Sequence, residues 1–202
     1  MTHRLLSWTG LDDFARGDHA SVELGDDWMR AIGSARSEHF TTCGALDVAK
    51  GWQTRALHVT ARGFGWSRTL ELTRSASKEW SAVVDSHGAV DLPGPGLSDP
   101  SSLDGAIDCD LGLCPVTNTM PIRRLGLLDR DVDDTHLVMA WVEVPSLRVL
   151  RSDQVYASAP DDDDDGGGRR VRYATYSRDF SALLSVDDDG LVVDYPGLAV
   201  RA

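Results

Sequence analysis

The residues best suited to bind a ligand lie in one short segment, residues 117–124, which reads TNTMPIRR. Thr117, Asn118 and Thr119 carry hydroxyl and amide groups that can both donate and accept hydrogen bonds. Arg123 and Arg124 each present five N–H donors in a fixed planar geometry. We therefore predict that these five residues meet an anionic or sugar-bearing head group.

The two arginines also have a structural interpretation. Arg123 and Arg124 would then be surface charges of a helix that pair with nearby acids such as Asp129 or Asp131. In the same interpretation, the threonines and the asparagine serve helix capping and packing. The sequence leaves both interpretations open.

Motifs for catalysis, nucleotide binding and metal binding are absent from the sequence. It contains no G-x-S-x-G, no phosphate-binding loop, no HExxH and no CxxC. Two aspartate-rich segments resemble the start of a calcium-binding loop, but Ala140 and Arg172 stand where that loop needs its bidentate glutamate. We therefore expect a protein that is not an enzyme and has no cofactor and no metal.

Charge and cysteine content limit the partners and the compartment. The formal net charge of −12 argues against nucleic acid and anionic membrane surfaces, which need dense cationic patches. Residues 1–6 lack the long apolar run of a signal peptide, and no later run is long enough to span a bilayer, so we expect no signal peptide and no stable membrane insertion. Cys43, Cys109 and Cys114 lack metal-ligand spacing, and we expect three buried thiols in a cytoplasmic protein.

A short helix is predicted to position the candidate ligand-binding residues, at about 117–126. Thr117 or Asn118 could cap its N-terminus, a proline is tolerated in its first turn, and Gly126 would end it. Three apolar residues lie on overlapping faces of this helix: Met120, Ile122 and Leu125. A helix this short is unstable alone in water, so it needs a sheet wrapped against its apolar side.

Period-2 alternation predicts β-strands through most of the remaining sequence. Leu57, Val59 and Ala61 would share one face of a strand, and Gly190 would close a hairpin. The short, turn-rich connections favour an antiparallel sheet in one domain, residues 1–202. Residues 161–168, five aspartates and three glycines, are predicted to be a flexible loop insertion.

Several segments together resemble the putative glycolipid-binding family. The closest matches are DCDL at 108–111, PVTNTMPIRRL at 115–125 and VDDDGLVVDYPGL at 186–198. This resemblance implies a mainly β fold in which a long antiparallel sheet winds as a spiral β-roll around a single α-helix. It also implies that the protein forms a homodimer, as is often the case in this family, and that its shape is related to the shape of carriers that shield lipoprotein acyl chains. Residues 12–37 are too degenerate to align.

Three functions are compatible with these observations. The first is a non-enzymatic carrier or sensor that binds a glycolipid or another amphiphile in an apolar cavity beside the helix. The second is a solid-cored interaction module that acts through its surface or a homodimer interface. The third is an enzyme on a carrier-like roll, which would need two convergent ionisable groups inside a cavity. We favour the first.

Overall fold

Strands account for most of the chain in the computed structural model, which describes residues 1–159, 169–176 and 179–202. The strands within those residues are β1 (Thr2–Gly10), β2 (Gly17–Leu24), β3 (Met29–Arg36), β4 (Phe40–Ala49), β5 (Gln53–Gly63), β6 (Trp66–Arg74), β7 (Trp80–Gly88), β8 (Asp108–Leu111), β9 (Thr135–Val142), β10 (Val149–Ser158), β11 (Arg169–Thr175), β12 (Phe180–Val186), β13 (Val192–Tyr195) and β14 (Ala199–Arg201). They form one sheet in the order β7, β6, β5, β4, β3, β2, β1, β14, β13, β12, β11, β10, β9, β8. The predicted loop at 161–168 lies outside the described residues.

The predicted mainly β fold is confirmed, and side-chain alternation is its local cause. In β5, Leu57, Val59 and Ala61 are at most 2% exposed, whereas His58 between them is exposed. Successive side chains of a strand point to opposite faces, so this pattern places one face of the sheet in the core. The hairpin between β12 and β13 is also confirmed, with Gly190 at a φ of 79° in its turn.

The predicted antiparallel sheet has one parallel pair of strands, at its edge. Strands β8 and β9 run parallel, with Asp108 beside Met139. Parallel neighbours need a crossover connection rather than a tight turn. Residues 112–134 provide that crossover, since they contain the helical segment.

The helix is present where it was predicted. In the described residues, the α-helix α1 (Thr119–Leu125) follows directly on a 3₁₀ turn (Pro115–Asn118). Gly126 ends it in the left-handed conformation, at a φ of 71°, and donates its N–H to the carbonyl of Arg123 at 3.2 Å. Glycine is favoured at this position because it has no Cβ to clash.

The predicted side-chain cap of the helix is wrong. Asn118 is itself in the right-handed helical conformation and makes no capping hydrogen bond. The Thr117 hydroxyl instead donates to Asp110 Oδ1 and to the Cys114 carbonyl, both at 3.0 Å. Asn118 directly precedes α1, but the 3₁₀ turn before it holds its backbone in a helical conformation, whereas a capping residue normally has an extended one.

The sheet winds around α1, because strands that are distant in the sheet both reach the helical segment. From β5, the Thr54 hydroxyl lies 3.2 Å from Met120 Sδ; from β10, the Tyr156 hydroxyl donates to Asn118 Oδ1 at 2.9 Å. Edge strand β8 lies on the inner side of β5, where the Cys109 N–H donates to Thr54 Oγ1 at 2.9 Å. The sheet therefore overlaps itself, as a spiral β-roll does.

Candidate functional site

An apolar cleft of about 80 Å³ lies between the inner face of β1–β5 and residues 111–117. Small residues form a row across that face: Ala20, Gly33 and Gly44, which are paired from β2 to β4. Larger apolar residues complete the walls: Trp8, Leu46, Val59, Leu111 and Val116. The missing side-chain volume of the small row leaves the space, which we call the apolar cleft.

Two charged residues, Arg16 and Asp18, are buried in the wall of the apolar cleft, at 2% and 6% exposure. Arg16 Nη1 lies 2.7 Å from Asp12 Oδ1, and its Nε lies 3.3 Å from Asp18 Oδ2. Arg16 Nη2 also donates to the Leu198 carbonyl at 2.6 Å. The guanidinium is thus held on several sides, and its charge is compensated by two carboxylates.

The Asp18 carboxylate is poorly satisfied. Both of its oxygens are buried and form no hydrogen bond within the described part of the chain. Burial raises its pKa to about 6, although the neighbouring Arg16 opposes this increase. Because burying a polar group without hydrogen bonds is costly, a ligand that donates a hydrogen bond to this carboxyl would gain binding free energy.

A second cavity, of about 250 Å³, adjoins the apolar cleft, and residues 111–114 line both. Its distinctive lining consists of aromatic and polar side chains: Asp12, Asp110, Asn118, Trp141, Phe180 and Tyr195. We call it the aromatic cavity. It differs from the apolar cleft both in size and in chemistry.

The segment between the two cavities is a tight turn with a strained residue. Cys114 donates its N–H to the Leu111 carbonyl at 3.1 Å, and Gly112 donates to the Val142 carbonyl at 2.9 Å. Leu113 has a φ of 64°, in the left-handed region, which costs a non-glycine residue about 1 kcal/mol or more. Such strain persists only where surrounding contacts fix the backbone, and it is common at ligand sites.

A buried polar network positions the inner wall of the aromatic cavity. Asp110 accepts hydrogen bonds from the Thr117 hydroxyl at 3.0 Å and from Gln154 Nε2 at 2.7 Å. Asn118 Nδ2 donates to the Pro115 carbonyl at 3.2 Å. Together with the Tyr156 bond to Asn118, these contacts fix both side chains before any ligand arrives.

The five residues predicted to bind a ligand are separated by the fold. Thr117 lines the apolar cleft and Asn118 lines the aromatic cavity, whereas the other three line neither. Thr119 is fully buried, and its hydroxyl has no hydrogen-bond partner among the described residues. A ligand-binding role for Thr119, Arg123 and Arg124 stays a prediction.

Arg123 and Arg124 contact Trp52 and Asp108 rather than the acids of the structural interpretation. The Arg123 guanidinium lies over the Trp52 ring, 5.1 Å from its centroid. Arg124 Nη1 lies 2.5 Å from Asp108 Oδ1 and 3.2 Å from the Trp52 carbonyl. Asp108 is fully buried, and burial raises its pKa while Arg124 opposes the increase. The expected pairing with Asp129 or Asp131 is therefore wrong for Arg124.

The chain is similar to known proteins in both its sequence and its fold. Residues 5–201 match the profile of a family described as "Putative glycolipid-binding". The chain belongs to this family. It is also similar to the crystal structure of a DUF1089 family protein from Pseudomonas aeruginosa, with 27% identity, 92% of each chain covered and a TM-score of 0.65. No curated protein matches the chain.

In this member of the glycolipid-binding family, sequence reasoning missed the buried Arg16–Asp18 pair. The pair lies within residues 12–37, where no sequence motif resembles the family. A signal was nevertheless present, because Asp18 shares the strand register of the buried Val22 and Leu24. A charged residue in that inward register marks a buried polar site.

Cysteine placement corrects one further expectation. Cys109 is buried and Cys114 partly buried, but Cys43 is exposed on β4, and all three are free thiols. Burial raises the pKa of both Cys109 and Cys114, the latter to about 12. Among the described residues, no group of three or more His, Cys, Asp or Glu could hold a metal, and no helix is long and apolar enough to cross a membrane.

Proposed function

We propose that this protein is a non-enzymatic carrier or sensor that binds a glycolipid or a similar amphiphile inside the roll. The observation that carries this proposal is an apolar cleft with a buried, poorly satisfied charged pair, Arg16 and Asp18, in its wall. Apolar walls suit a hydrocarbon segment, and the buried pair suits a polar atom attached to it. Membership of the glycolipid-binding family supports the same proposal.

The size of the apolar cleft limits what the hydrocarbon segment can contribute. Each buried methylene contributes about 0.8 kcal/mol, so about four of them would contribute roughly 3 kcal/mol. Micromolar affinity needs about 8 kcal/mol. A cleft of about 80 Å³ therefore cannot give tight binding alone, and polar contacts must supply the remainder.

Filling the apolar cleft tests this function. Native mass spectrometry of gently purified protein should detect a bound amphiphile, and calorimetry should detect binding of tetraethylene glycol monooctyl ether. Ala20→Leu places a larger side chain on the cleft wall and should weaken that binding, whereas Ala89→Leu, at an exposed loop position, should not. The proposal is refuted if the purified protein carries no amphiphile and binds no octyl probe.

Self-association through the outer face is a second candidate function and stays a prediction. Leu5 and Ile32 are 77% and 63% exposed, and both are paired to Ser21 of the strand between them. Exposed apolar neighbours of this kind are typical of a surface that a second protein covers. Sedimentation velocity of Ile32→Lys beside the natural protein checks whether a homodimer forms there.

A further inference from the structure

The aromatic cavity has the composition of a saccharide site. Aromatic rings stack against the apolar C–H faces of a sugar ring, while carboxylate and amide groups bind its hydroxyls. Trp141, Phe180 and Tyr195 supply the rings, and Asp110 and Asn118 supply the polar groups. We infer that the aromatic cavity binds one neutral saccharide ring, the head group of the amphiphile whose hydrocarbon segment occupies the apolar cleft. This inference rests on the proposed function.

Charge decides between a neutral sugar and an anionic head group. No arginine or lysine among the described residues lines the aromatic cavity, but two aspartates, Asp12 and Asp110, do. A phosphate or sulfate there would face two carboxylates, and the neighbouring cation, Arg16, is already paired with Asp12 and Asp18, so binding of the anion is strongly unfavourable in a partly buried site. Sugar hydroxyls, in contrast, donate to carboxylates. The sequence predicted an anionic or a sugar-bearing head group, and the charge of the aromatic cavity favours the sugar-bearing one.

Size and rigidity also favour a single sugar ring. The cavity volume of about 250 Å³ is below the roughly 300–1,000 Å³ of sites for drug-sized ligands, so it suits one ring rather than an oligosaccharide. Asp110 is held by Thr117 and Gln154, and Asn118 is held by Tyr156 and the Pro115 carbonyl.

The turn at residues 111–114 links this cavity to the apolar cleft. The turn lines both spaces, so they are adjacent, and the inferred ligand would place its glycosidic linkage beside Leu113. Leu113 has a positive φ, so the backbone at this position is in the left-handed conformation. The strained turn accordingly sets the boundary between the sugar and the hydrocarbon.

The test compares octyl amphiphiles that differ only in their head group. Isothermal titration below the micelle concentration would use octyl β-D-glucoside, octyl β-D-galactoside and octyl β-D-mannoside, with tetraethylene glycol monooctyl ether as the sugar-free reference. At least one glycoside should bind roughly tenfold more tightly than the ether, the combined effect of one stacked ring and one or two hydrogen bonds.

Two matched variants assign that preference to the aromatic cavity. Phe180→Leu removes a ring that is already 37% exposed, so folding should survive; Phe64→Leu makes the same change at a turn residue that is 96% exposed. Phe180→Leu should reduce the sugar preference to about twofold or less while ether binding is unchanged, and Phe64→Leu should keep the full preference. Trp141→Leu should act like Phe180→Leu.

Each other result contradicts the inference in a distinguishable way. Equal affinity of all octyl probes for the natural protein would show that the aromatic cavity does not bind the sugar, while amphiphile binding in the apolar cleft would still stand. Full sugar preference in both Phe180→Leu and Trp141→Leu would place the sugar elsewhere. Failure of every probe to bind would refute the proposed function together with this inference.

Discussion

Replacing the buried Asp18 by asparagine should stabilise the protein at neutral pH. Its carboxyl has a pKa of about 6 in the folded protein, against an ordinary value of 3.8, because burial disfavours the charged form. The folded state therefore binds this proton more tightly than the unfolded state does. As the pH rises from about 3.8 to about 6, the contribution of Asp18 to the free energy of unfolding falls. This contribution stays at the lower level above that range.

The size of the effect follows from the same two pKa values. At about 1.4 kcal/mol for each pKa unit, the difference between 3.8 and about 6 corresponds to roughly 3 kcal/mol. The side chain is only 8% exposed, so solvent screening reduces this figure little. Asparagine resembles the protonated acid in shape and charge. Asp18→Asn should therefore be more stable than the natural protein by roughly 3 kcal/mol at about pH 8, and nearly equal to it at about pH 4.

Urea unfolding of both proteins at several pH values measures this difference. Subtracting the two curves removes the contributions of all other titrating groups, including the buried Asp108. Asp91→Asn, at an exposed position, is the control for the substitution itself and should not raise the free energy of unfolding by a comparable amount at about pH 8. The reasoning is refuted if Asp18→Asn is less stable than the natural protein at about pH 8, because that result would mean that Arg16 more than offsets the cost of burial.

Three further predictions concern the helix and the thiols. Arg124→Met should destabilise the fold by roughly 3–5 kcal/mol in urea, because it leaves the Asp108 carboxylate buried without its partner; adding Asp108→Asn should recover part of the loss. Gly126→Ala should cost about 1–2 kcal/mol in thermal unfolding, because its φ is 71°. In the native protein, Cys43 should react with a thiol reagent while Cys109 stays unmodified, because Cys43 is exposed and Cys109 is buried. Mass spectrometry of the labelled peptides measures both reactions.

Local signals predicted the elements well. The alternation of Leu57, Val59 and Ala61 identified a half-buried strand, and Gly126 marked the helix end. These signals are reliable because a strand's period and a left-handed terminal residue depend on neighbours within a few positions. The segment strings at 115–125 and 186–198 likewise indicated the family, whose profile matches residues 5–201.

Contacts between distant segments could not be predicted in the same way. In the sequence, Asp108 and Asp110 alternate with the apolar residues of β8, a pattern typical of a strand with one exposed face, yet the structure buries both aspartates because β8 lies inside the roll. Arg124 reaches Asp108 rather than a nearby acid, since the helix sits against β8. Such partners are set by the path of the sheet, which no short stretch of sequence specifies.

The sequence by itself determined that the chain forms many strands and one short helix, because hydrophobic periodicity, glycine and proline act locally; the resemblance to the family implied that the sheet winds around that helix. Only the tertiary structure decided where the cavities lie. The apolar cleft exists because the small residues Ala20, Gly33 and Gly44, on three different strands, come into one row. Its charged wall depends on Arg16 and Asp18 being carried inward by β2 and the turn before it. A cavity is the space left among side chains from many segments, so its position is fixed by packing and not by any one of them.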